Sequence, residues 1–323
     1  MQRRIHVSRR LPDRVLRSLR DFFDVTIHDS EWPPRRKELL AAVVGSAGLV
    51  TMPTDTVDGE LLTAAGPSLR VVANHAVGYD NVDVEEATRR HIVVANTPGV
   101  LDEATGEFTL ALVLALVRRV AEGDRFLRRR EKWALAPTFM LGRALRGRTL
   151  GIVGLGRIGS EVARLAAAFG MEVVYTTRTG ATGAPYEWLP LADLLARADV
   201  VSLHVPLTPE TRHLIGSGEL RAMRSHAVLV NTSRGAVVDE EALVAALVDG
   251  GIAGAALDVF EREPRVHPGL LALGNVVLTP HLASATTETR EAMGLLCVEA
   301  LRAVLIEGRC PPNVVNPEAW RSS

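Results

Sequence analysis

The chain has 323 residues, of which 47% are hydrophobic and 23% charged, and its formal net charge at pH 7 is −1. This length and composition predict a globular protein with enough apolar residues for two cores, and the small net charge excludes a general attraction to nucleic acid or to anionic membranes. The two cysteines have no metal-ligand spacing, the N-terminus has no apolar signal segment, and no apolar run reaches the roughly 20 residues of a membrane span, so we expect a cytoplasmic protein.

Strands and helices alternate in the N-terminal part of the chain. Strands are predicted at residues 4–7, 24–28, 48–51, 69–73 and 92–95, and helices at residues 12–23, 34–43 and 58–65. This alternation predicts an open parallel sheet. The loop 74–81 follows a strand end, where such sheets bind ligands. The backbone N–H groups of Val77 and Gly78 could bind a carboxylate there, although the same segment could be a plain turn.

A second domain is predicted to begin after Thr97-Pro98-Gly99, which interrupts the alternation. Residues 102–120 are strongly helical in pattern, and residues 110–117 are apolar on every face. Such a helix must be buried all round, either in one subunit or between two, so the pattern favours a homodimer. Residues 133–145 form an irregular segment before the next strand.

A glycine-rich turn follows, in which the strand 150–153 leads into Gly154, Gly156 and Gly159 and then into an alanine-rich helix. Gly154 permits the tight bend, Gly156 lets a pyrophosphate approach the backbone, and Gly159 lets the helix lie close to its strand. The start of the helix offers N–H groups and a positive dipole end to the phosphates. We predict a Rossmann domain that binds a dinucleotide; the alternative is a glycine-rich turn in an ordinary βαβ unit.

The second strand of this domain, residues 172–179, suggests which dinucleotide binds. NAD sites usually place a carboxylate on the ribose 2′-hydroxyl here, whereas this chain has Thr177, Arg178 and Thr179. The guanidinium of Arg178 suits a 2′-phosphate. The sequence therefore favours NADP(H), with NAD(H) as the alternative cofactor and a solvated loop arginine as the alternative interpretation.

Further strands are predicted at residues 199–205, 227–233, 254–260 and 275–279, and further helices at residues 189–198, 240–247 and 287–306. Arg234, Glu263 and His281 each lie at or just after the C-terminal end of a strand, on the edge that also carries the glycine-rich turn. Each alone could be an ordinary loop residue. Together they form a coherent set for reducing a ketone.

In that reduction, hydride transfer leaves negative charge on the carbonyl oxygen. His281 would supply a proton there, and Glu263 would favour the protonated imidazolium. Arg234 would bind the substrate carboxylate and polarise the keto oxygen.

Three sequence blocks around these residues resemble the signature blocks of the D-isomer-specific 2-hydroxyacid dehydrogenases: NTSRG at 231–235, LDVFEREP at 257–264 and PHLASAT at 280–286. Within that family the chain is most similar to the glyoxylate/hydroxypyruvate reductases, on residues 50–52, 71–81 and 139–142. The resemblance implies that Arg234, Glu263 and His281 are catalytic. It also implies that the amides of Val77 and Gly78, together with Arg234 and Ser284, bind a small 2-keto or 2-hydroxy acid.

The resemblance further implies two doubly wound α/β domains with parallel sheets. These are a central Rossmann domain of residues 99–286 and a discontinuous flavodoxin-like substrate domain of residues 1–98 and 287–323, with a homodimer built on the long helix. The implied cofactor contacts, with Asp258 near the nicotinamide amide, are Thr105, Gly154, Gly156, Arg157, Ile158, Gly159, Thr177, Arg178, Thr179, Thr232, Asp258, His281 and Ala283.

Two departures from the family pattern leave alternatives open. Gly106 stands where the family usually has alanine, which is expected to loosen the first turn of its helix. Ala283 stands where the reductases commonly have glycine, and its methyl group would lie close to the nicotinamide or the substrate, so the 2-keto acid is not fixed. One alternative is a dehydrogenase of phosphoglycerate or of a bulkier acid, although no basic cluster for a phosphate is evident near the site. Another is a dinucleotide-sensing binding protein without catalysis, as the corepressor members of the family are.

Overall fold

The chain folds into two compact units. The computed structural model describes residues 3–320. The first unit runs to Leu101 and resumes at Ala285, and the second unit is Asp102–Ser284. These divisions lie close to the predicted boundaries after residues 98 and 286, and the assignment of substrate to one unit and dinucleotide to the other stays a prediction.

The first unit contains a five-stranded sheet. Its strands are β1 (Arg4–Val7), β2 (Asp24–Ile27), β3 (Gly48–Thr51), β4 (Val71–Asn74) and β5 (Val93–Ala95). They lie in the order β2-β1-β3-β4-β5, and every pair is parallel. This is the flavodoxin-like order, so the predicted fold of this unit is confirmed.

Helices cover both faces of this sheet. They are α1 (Asp13–Arg20), α2 (Arg36–Ala42), α3 (Gly59–Ala65) and α4 (Val84–Arg89). Successive strand residues enter different cores: Val50 packs in one apolar cluster and Leu49 in another. Because neighbouring side chains of a strand point to opposite faces, both faces of the sheet are buried, as a doubly wound fold requires.

The second unit is built on a seven-stranded sheet. Its elements are α5 (Asp102–Val117), α6 (Val120–Arg128), β6 (Thr149–Val153), α7 (Arg157–Ala168), β7 (Glu172–Thr176), β8 (Glu187–Trp188), α8 (Leu191–Arg197), β9 (Val200–Leu203), α9 (Ser217–Ala222), β10 (Val228–Asn231), α10 (Glu240–Val248), β11 (Gly254–Leu257), α11 (Pro268–Leu271) and β12 (Val276–Leu278). The strands are parallel, in the order β12-β11-β10-β9-β6-β7-β8. Counted from β6, this is the Rossmann order with one extra strand, which confirms the prediction.

The apolar helix α5 is shorter than predicted, and burial of its remaining faces between two subunits stays a prediction. It ends at Val117, where the chain turns through Arg119 at φ 56° and begins the separate helix α6. Within one chain it is not buried all round: Leu110 and Val113 are buried, whereas residues 114–117 are only half-buried. Gly106 is buried, and a Cβ at that position would lie 2.6 Å from the side chain of Glu161 on α7. The glycine therefore lets the two helices approach closely.

The C-terminal helix α12 (Thr287–Arg302) belongs to the first unit. Cys297 and Leu301 pack in the same apolar cluster as Val15 of α1. A Cβ at Gly294 would lie 2.5 Å from the Val15 side chain, so this glycine permits the close contact of the two helices. Among residues 3–320, no helix is both long and apolar enough to cross a membrane.

Candidate active site

His281 and Glu263 are in direct contact at the C-terminal edge of the second unit's sheet. The Nδ1 atom of His281 donates a hydrogen bond to Oε2 of Glu263 at 2.9 Å, and Oε1 of Glu263 accepts from the N–H of Phe260 at 3.0 Å. Burial alone would raise the pKa of Glu263, but the hydrogen bond and charge of His281, the Phe260 N–H and the charge of Arg234 hold it below its ordinary value. Glu263 is therefore ionised at neutral pH, and Nε2 of the ring is left for proton exchange.

Asp258 organises the loop that carries His281. Its buried carboxylate accepts hydrogen bonds from the Thr279 hydroxyl at 2.6 Å, the Leu282 N–H at 2.7 Å and the Ala283 N–H at 2.8 Å. The N–H of His281 donates to the Asp258 carbonyl at 2.8 Å. These bonds hold His281 at φ 56°, a left-handed conformation that costs energy for a residue with a side chain and recurs at functional sites. The sequence did not predict this role for Asp258.

Arg234 follows β10, in a turn that Asn231 fixes. The Asn231 side chain donates to the Arg234 carbonyl at 2.9 Å and accepts from the Ser233 N–H at 3.0 Å. A Cβ on Gly235 would lie 1.9 Å from the backbone carbon of Phe260. Only glycine permits this approach, which brings the Arg234 turn against the segment that leads to Glu263. The three predicted catalytic residues thus lie on one edge of the sheet, whereas the part played by Asn231 was missed.

The glycine-rich turn between β6 and α7 has the geometry that a pyrophosphate needs. Gly154 has φ 98°, and a Cβ on Gly159 would lie 2.2 Å from the Gly154 carbonyl oxygen, so these two glycines are required by the turn itself. A Cβ on Gly156 would have no atom within 4 Å, and no side chain caps the start of α7. Open space and uncapped N–H groups fit a phosphate at this position, beside Arg157 and Ile158 in the first turn of the helix.

The three residues that are predicted to contact the ribose lie just after β7, which is shorter than the predicted strand 172–179. Thr177, Arg178 and Thr179 follow the strand end at Thr176, and Arg178 is exposed. The Thr177 hydroxyl donates to the Gly180 carbonyl, which closes the turn. The stretch 176–182 contains no carboxylate, so Arg178 is the charged group of this turn.

Thr105 and Thr232, two further predicted cofactor residues, lie close together. Their link is Thr109, whose hydroxyl donates to the Thr105 carbonyl at 2.7 Å and lies 3.0 Å from the Thr232 hydroxyl. Ala283 is buried, and Ser284 is half-buried at the end of the His281 loop. Contacts of these residues with cofactor or substrate stay predictions.

Val77 and Gly78 lie in the first unit, in the loop between β4 and α4. Within residues 3–320, neither N–H group donates to a protein acceptor. Two amide groups are thus available to an anion, as the carboxylate-binding prediction requires.

The chain is similar to known proteins over nearly its whole length. Residues 110–283 match the family model described as D-isomer specific 2-hydroxyacid dehydrogenase, NAD binding domain. A glyoxylate reductase of Aeropyrum pernix is 51% identical, over 98% of this chain and 96% of that protein. A crystal structure from Thermus thermophilus is 49% identical with a TM-score of 0.91, covering 97% of this chain and 99% of that chain. An NADPH-dependent glyoxylate/hydroxypyruvate reductase of Sinorhizobium meliloti, in complex with NADP and malonate, is 37% identical with a TM-score of 0.87, covering 100% of this chain and 99% of that one.

Proposed function

Because the chain belongs to the D-isomer specific 2-hydroxyacid dehydrogenase family, we propose that it is an enzyme that reduces glyoxylate or hydroxypyruvate to the 2-hydroxy acid. The observation that supports this most directly is the 2.9 Å contact of His281 with Glu263, on the sheet edge that also carries Arg234 and the glycine-rich turn. The activities named for the relatives from Aeropyrum pernix and Sinorhizobium meliloti support the substrate class.

The three side chains divide the chemistry among them. Reduced nicotinamide, when bound, supplies a hydride to the keto carbon. His281 donates a proton from Nε2 to the keto oxygen, and Glu263 holds the ring through Nδ1 and favours its protonated form. Arg234 binds the substrate carboxylate and stabilises the negative charge that develops on the oxygen.

Substrate and cofactor are proposed to meet the other predicted residues. The N–H groups of Val77 and Gly78 bind the substrate carboxylate, and the Ser284 hydroxyl contacts a substrate hydroxyl. Asp258 lies near the nicotinamide amide, with its carboxylate already holding the His281 loop. The remaining proposed cofactor contacts are Thr105, Gly154, Gly156, Arg157, Ile158, Gly159, Thr177, Arg178, Thr179, Thr232, His281 and Ala283.

The protein binds a nicotinamide dinucleotide, and NADP(H) is the proposed preference. Arg178 is exposed at the end of β7, and the turn that it occupies contains no acid. A guanidinium attracts a 2′-phosphate, whereas a carboxylate would repel it. The NADP complex of the Sinorhizobium meliloti relative agrees with this preference.

A homodimer in the cytoplasm is the proposed state of the protein. The support is a set of exposed apolar side chains on and after α6: Leu127, Trp133, Leu135, Phe139 and Leu141. Such a concentration of exposed apolar groups is typical of an interaction surface.

The proposed activity is tested with purified protein, glyoxylate, hydroxypyruvate and pyruvate, each with NADPH and with NADH, by following oxidation of the reduced nicotinamide. We expect turnover with glyoxylate or hydroxypyruvate, fastest with NADPH. Activity only with phosphohydroxypyruvate or with bulkier 2-keto acids would move the assignment to another dehydrogenase of the family. Dinucleotide binding without turnover of any 2-keto acid would favour a sensor.

A further inference from the structure

The loop after β4 has three successive peptide groups whose carbonyls are all hydrogen-bonded. Each of three consecutive backbone carbonyls accepts a hydrogen bond from a neighbouring strand end: Ala76 from the N–H of Thr97 at 2.9 Å, Val77 from the side-chain amide of Asn96 at 2.8 Å, and Gly78 from the side-chain amide of Asn74 at 3.0 Å. Such a run of bonds to successive carbonyls fixes the peptide planes of the loop.

In a trans peptide, the carbonyl and the following N–H point in opposite directions. Anchoring the three carbonyls therefore turns the N–H groups of Val77, Gly78 and Tyr79 away from Asn74, Asn96 and Thr97. In the part of the chain that the structure describes, none of these three N–H groups has a protein acceptor. Successive unpaired N–H groups of this kind form a concave site for an anion.

We infer that the side-chain amides of Asn96 and Asn74 are positioning residues that hold the N–H groups of Val77, Gly78 and Tyr79 in the orientation that binds the substrate carboxylate. The inference rests on the proposed function, in which Val77 and Gly78 bind that carboxylate. The two asparagines act on the opposite side of the peptide groups and have no contact with the substrate themselves.

The surroundings of Asn74 fix which way its amide faces. Asn74 is fully buried, its oxygen accepts from the Thr51 hydroxyl at 3.0 Å, and the same oxygen lies 3.2 Å from the side-chain nitrogen of Asn81. The Gly78 carbonyl can only accept, so the nitrogen of Asn74 must face it. Asn81 in turn donates to the carbonyls of Met52 and Asp55, which ties the network to the turn after β3.

Asn96 is the better residue for an experiment because its backbone is anchored separately. Its N–H donates to the Asn313 carbonyl, and its carbonyl accepts from the Asn313 side chain. The Asn96 side chain is half-buried and donates to the Val77 carbonyl. Substitution of the side chain therefore releases the Val77–Gly78 peptide and leaves the strand end in place.

The test measures steady-state kinetics of Asn96→Ala and Asn96→Asp. Loss of the hydrogen bond to the Val77 carbonyl, together with disorder of the amides, should raise the KM for glyoxylate about tenfold in the alanine variant, with the KM for NADPH unchanged. The aspartate variant keeps the size of the side chain but sets an acceptor against the Val77 carbonyl. It should raise the KM for glyoxylate more than the alanine variant does, although aspartate is closer to asparagine in shape.

The matched control is Asn275, which is also half-buried and whose side chain donates to a single backbone carbonyl, that of Ala253 at 3.3 Å. Asn275→Ala and Asn275→Asp should leave the KM for glyoxylate within twofold of the wild type. An unchanged KM for glyoxylate in both Asn96 variants would overturn the inference. The inference would also be overturned if kcat fell and the KM values for glyoxylate and NADPH both rose by similar factors, in proportion to a lower melting temperature.

Binding of oxamate, an unreactive carboxylate analogue, to the NADPH-loaded protein separates this inference from the proposed function. If the wild type binds oxamate but reduces no 2-keto acid, the proposed function fails, and a tenfold weaker oxamate affinity of Asn96→Ala still supports the positioning role. If the wild type neither reduces a 2-keto acid nor binds oxamate, both proposals are overturned.

Discussion

Nδ1 of His281 is hydrogen-bonded to Glu263, so Nε2 is the atom from which His281 would donate a proton. We expect His281→Gln to lower the rate of glyoxylate reduction by about 10²–10⁴-fold, because general acid catalysis by a positioned group contributes that much. The affinity for NADPH, measured by fluorescence titration, should stay unchanged. His226→Gln is the control, since His226 contacts Asp199 at the opposite edge of the same sheet. Near-normal turnover of His281→Gln would reject the acid role.

The Glu263 carboxylate should keep its role throughout the neutral range. Its pKa is lowered, so it keeps its charge at lower pH than an ordinary glutamate and loses that charge only as the pH falls further. Glu263→Gln keeps the size of the side chain but removes the negative charge that accepts the hydrogen bond from Nδ1 of His281. Because a hydrogen bond to a charged group contributes about 1.5–3 kcal/mol, kcat/KM for glyoxylate at neutral pH should fall about tenfold or more in this variant, with the affinity for NADPH unchanged. A wild-type kcat/KM in Glu263→Gln would mean that the carboxylate does not hold His281 for catalysis.

Arg178 is the residue that should distinguish the two dinucleotides. Arg178→Ala should raise the KM for NADPH at least tenfold, about the effect of losing one charge-assisted hydrogen bond to a phosphate. The KM for NADH should change little, since NADH has no 2′-phosphate. Arg164→Ala is the control, because Arg164 is an exposed arginine that pairs with Glu161 on α7. Equal weakening of NADPH and NADH would show that Arg178 does not contact a 2′-phosphate.

Within the element that joins β6 to α7, two glycines should fail in different ways when each becomes alanine. At Gly159 the new Cβ would lie 2.2 Å from the Gly154 carbonyl oxygen, so Gly159→Ala should lower the melting temperature as α7 is pushed from its strand. At Gly156 nothing lies within 4 Å of the Cβ position. Gly156→Ala should therefore melt like the wild type and yet bind NADPH at least tenfold more weakly, because the methyl group occupies the proposed place of the pyrophosphate.

Thermal unfolding and fluorescence titration of the two variants separate these effects. A Gly156→Ala protein that binds NADPH normally would contradict a pyrophosphate at this turn. Gly123→Ala provides the control, because it adds a methyl group in α6 where a Cβ also meets no atom within 4 Å.

The alternation of apolar segments was enough to predict both parallel sheets, but not where their strands end. The strand predicted at residues 254–260 ends at Leu257, although Val259 and Phe260 beyond it are also buried. Burial, and not sheet pairing, produces the apolar pattern, so the pattern continues past the edge of the sheet. Short elements such as α4 and β8 were missed because six and two residues do not display a period.

The position of the candidate site was predictable for a simple reason: parallel strands all end on the same edge. The contact of His281 with Glu263 was only a hypothesis, because it depends on loop conformation. The left-handed His281 and the three hydrogen bonds that Asp258 accepts from its loop have no periodic signature. The same holds for the amides of Asn74 and Asn96, whose partners are backbone carbonyls that no sequence pattern identifies.

At the scale of the whole molecule, one surface of the second unit suggests how two chains would associate. Helix α6 has no buried residue, and Leu135 in the segment after it is 95% exposed. Leu141 borders a cavity of about 250 Å³ that Leu116 and Val117 at the end of α5 also line. The end of the apolar helix is thus incompletely covered within one chain. A second copy of the chain would bury these groups. In a dimer with two-fold symmetry, the same groups of both chains would be buried in one interface.

Leu135→Asp should therefore weaken the homodimer without affecting the fold of the monomer, since a side chain that is 95% exposed has almost no contacts within its own chain. Burial of a leucine contributes about 1.5–3 kcal/mol, and loss of two copies in a symmetric dimer would weaken association by about 10²–10⁴-fold. Size-exclusion chromatography with light scattering should show twice the chain mass for the wild type and a shift to the monomer for Leu135→Asp at micromolar concentration.

Leu271→Asp is the control, because Leu271 is 65% exposed on α11, outside the segment that follows α6, and its substitution should leave the dimer intact. A monomeric wild type, or a dimer equally stable in both variants, would exclude this surface as the interface and leave the half-buried end of α5 to be explained by another partner.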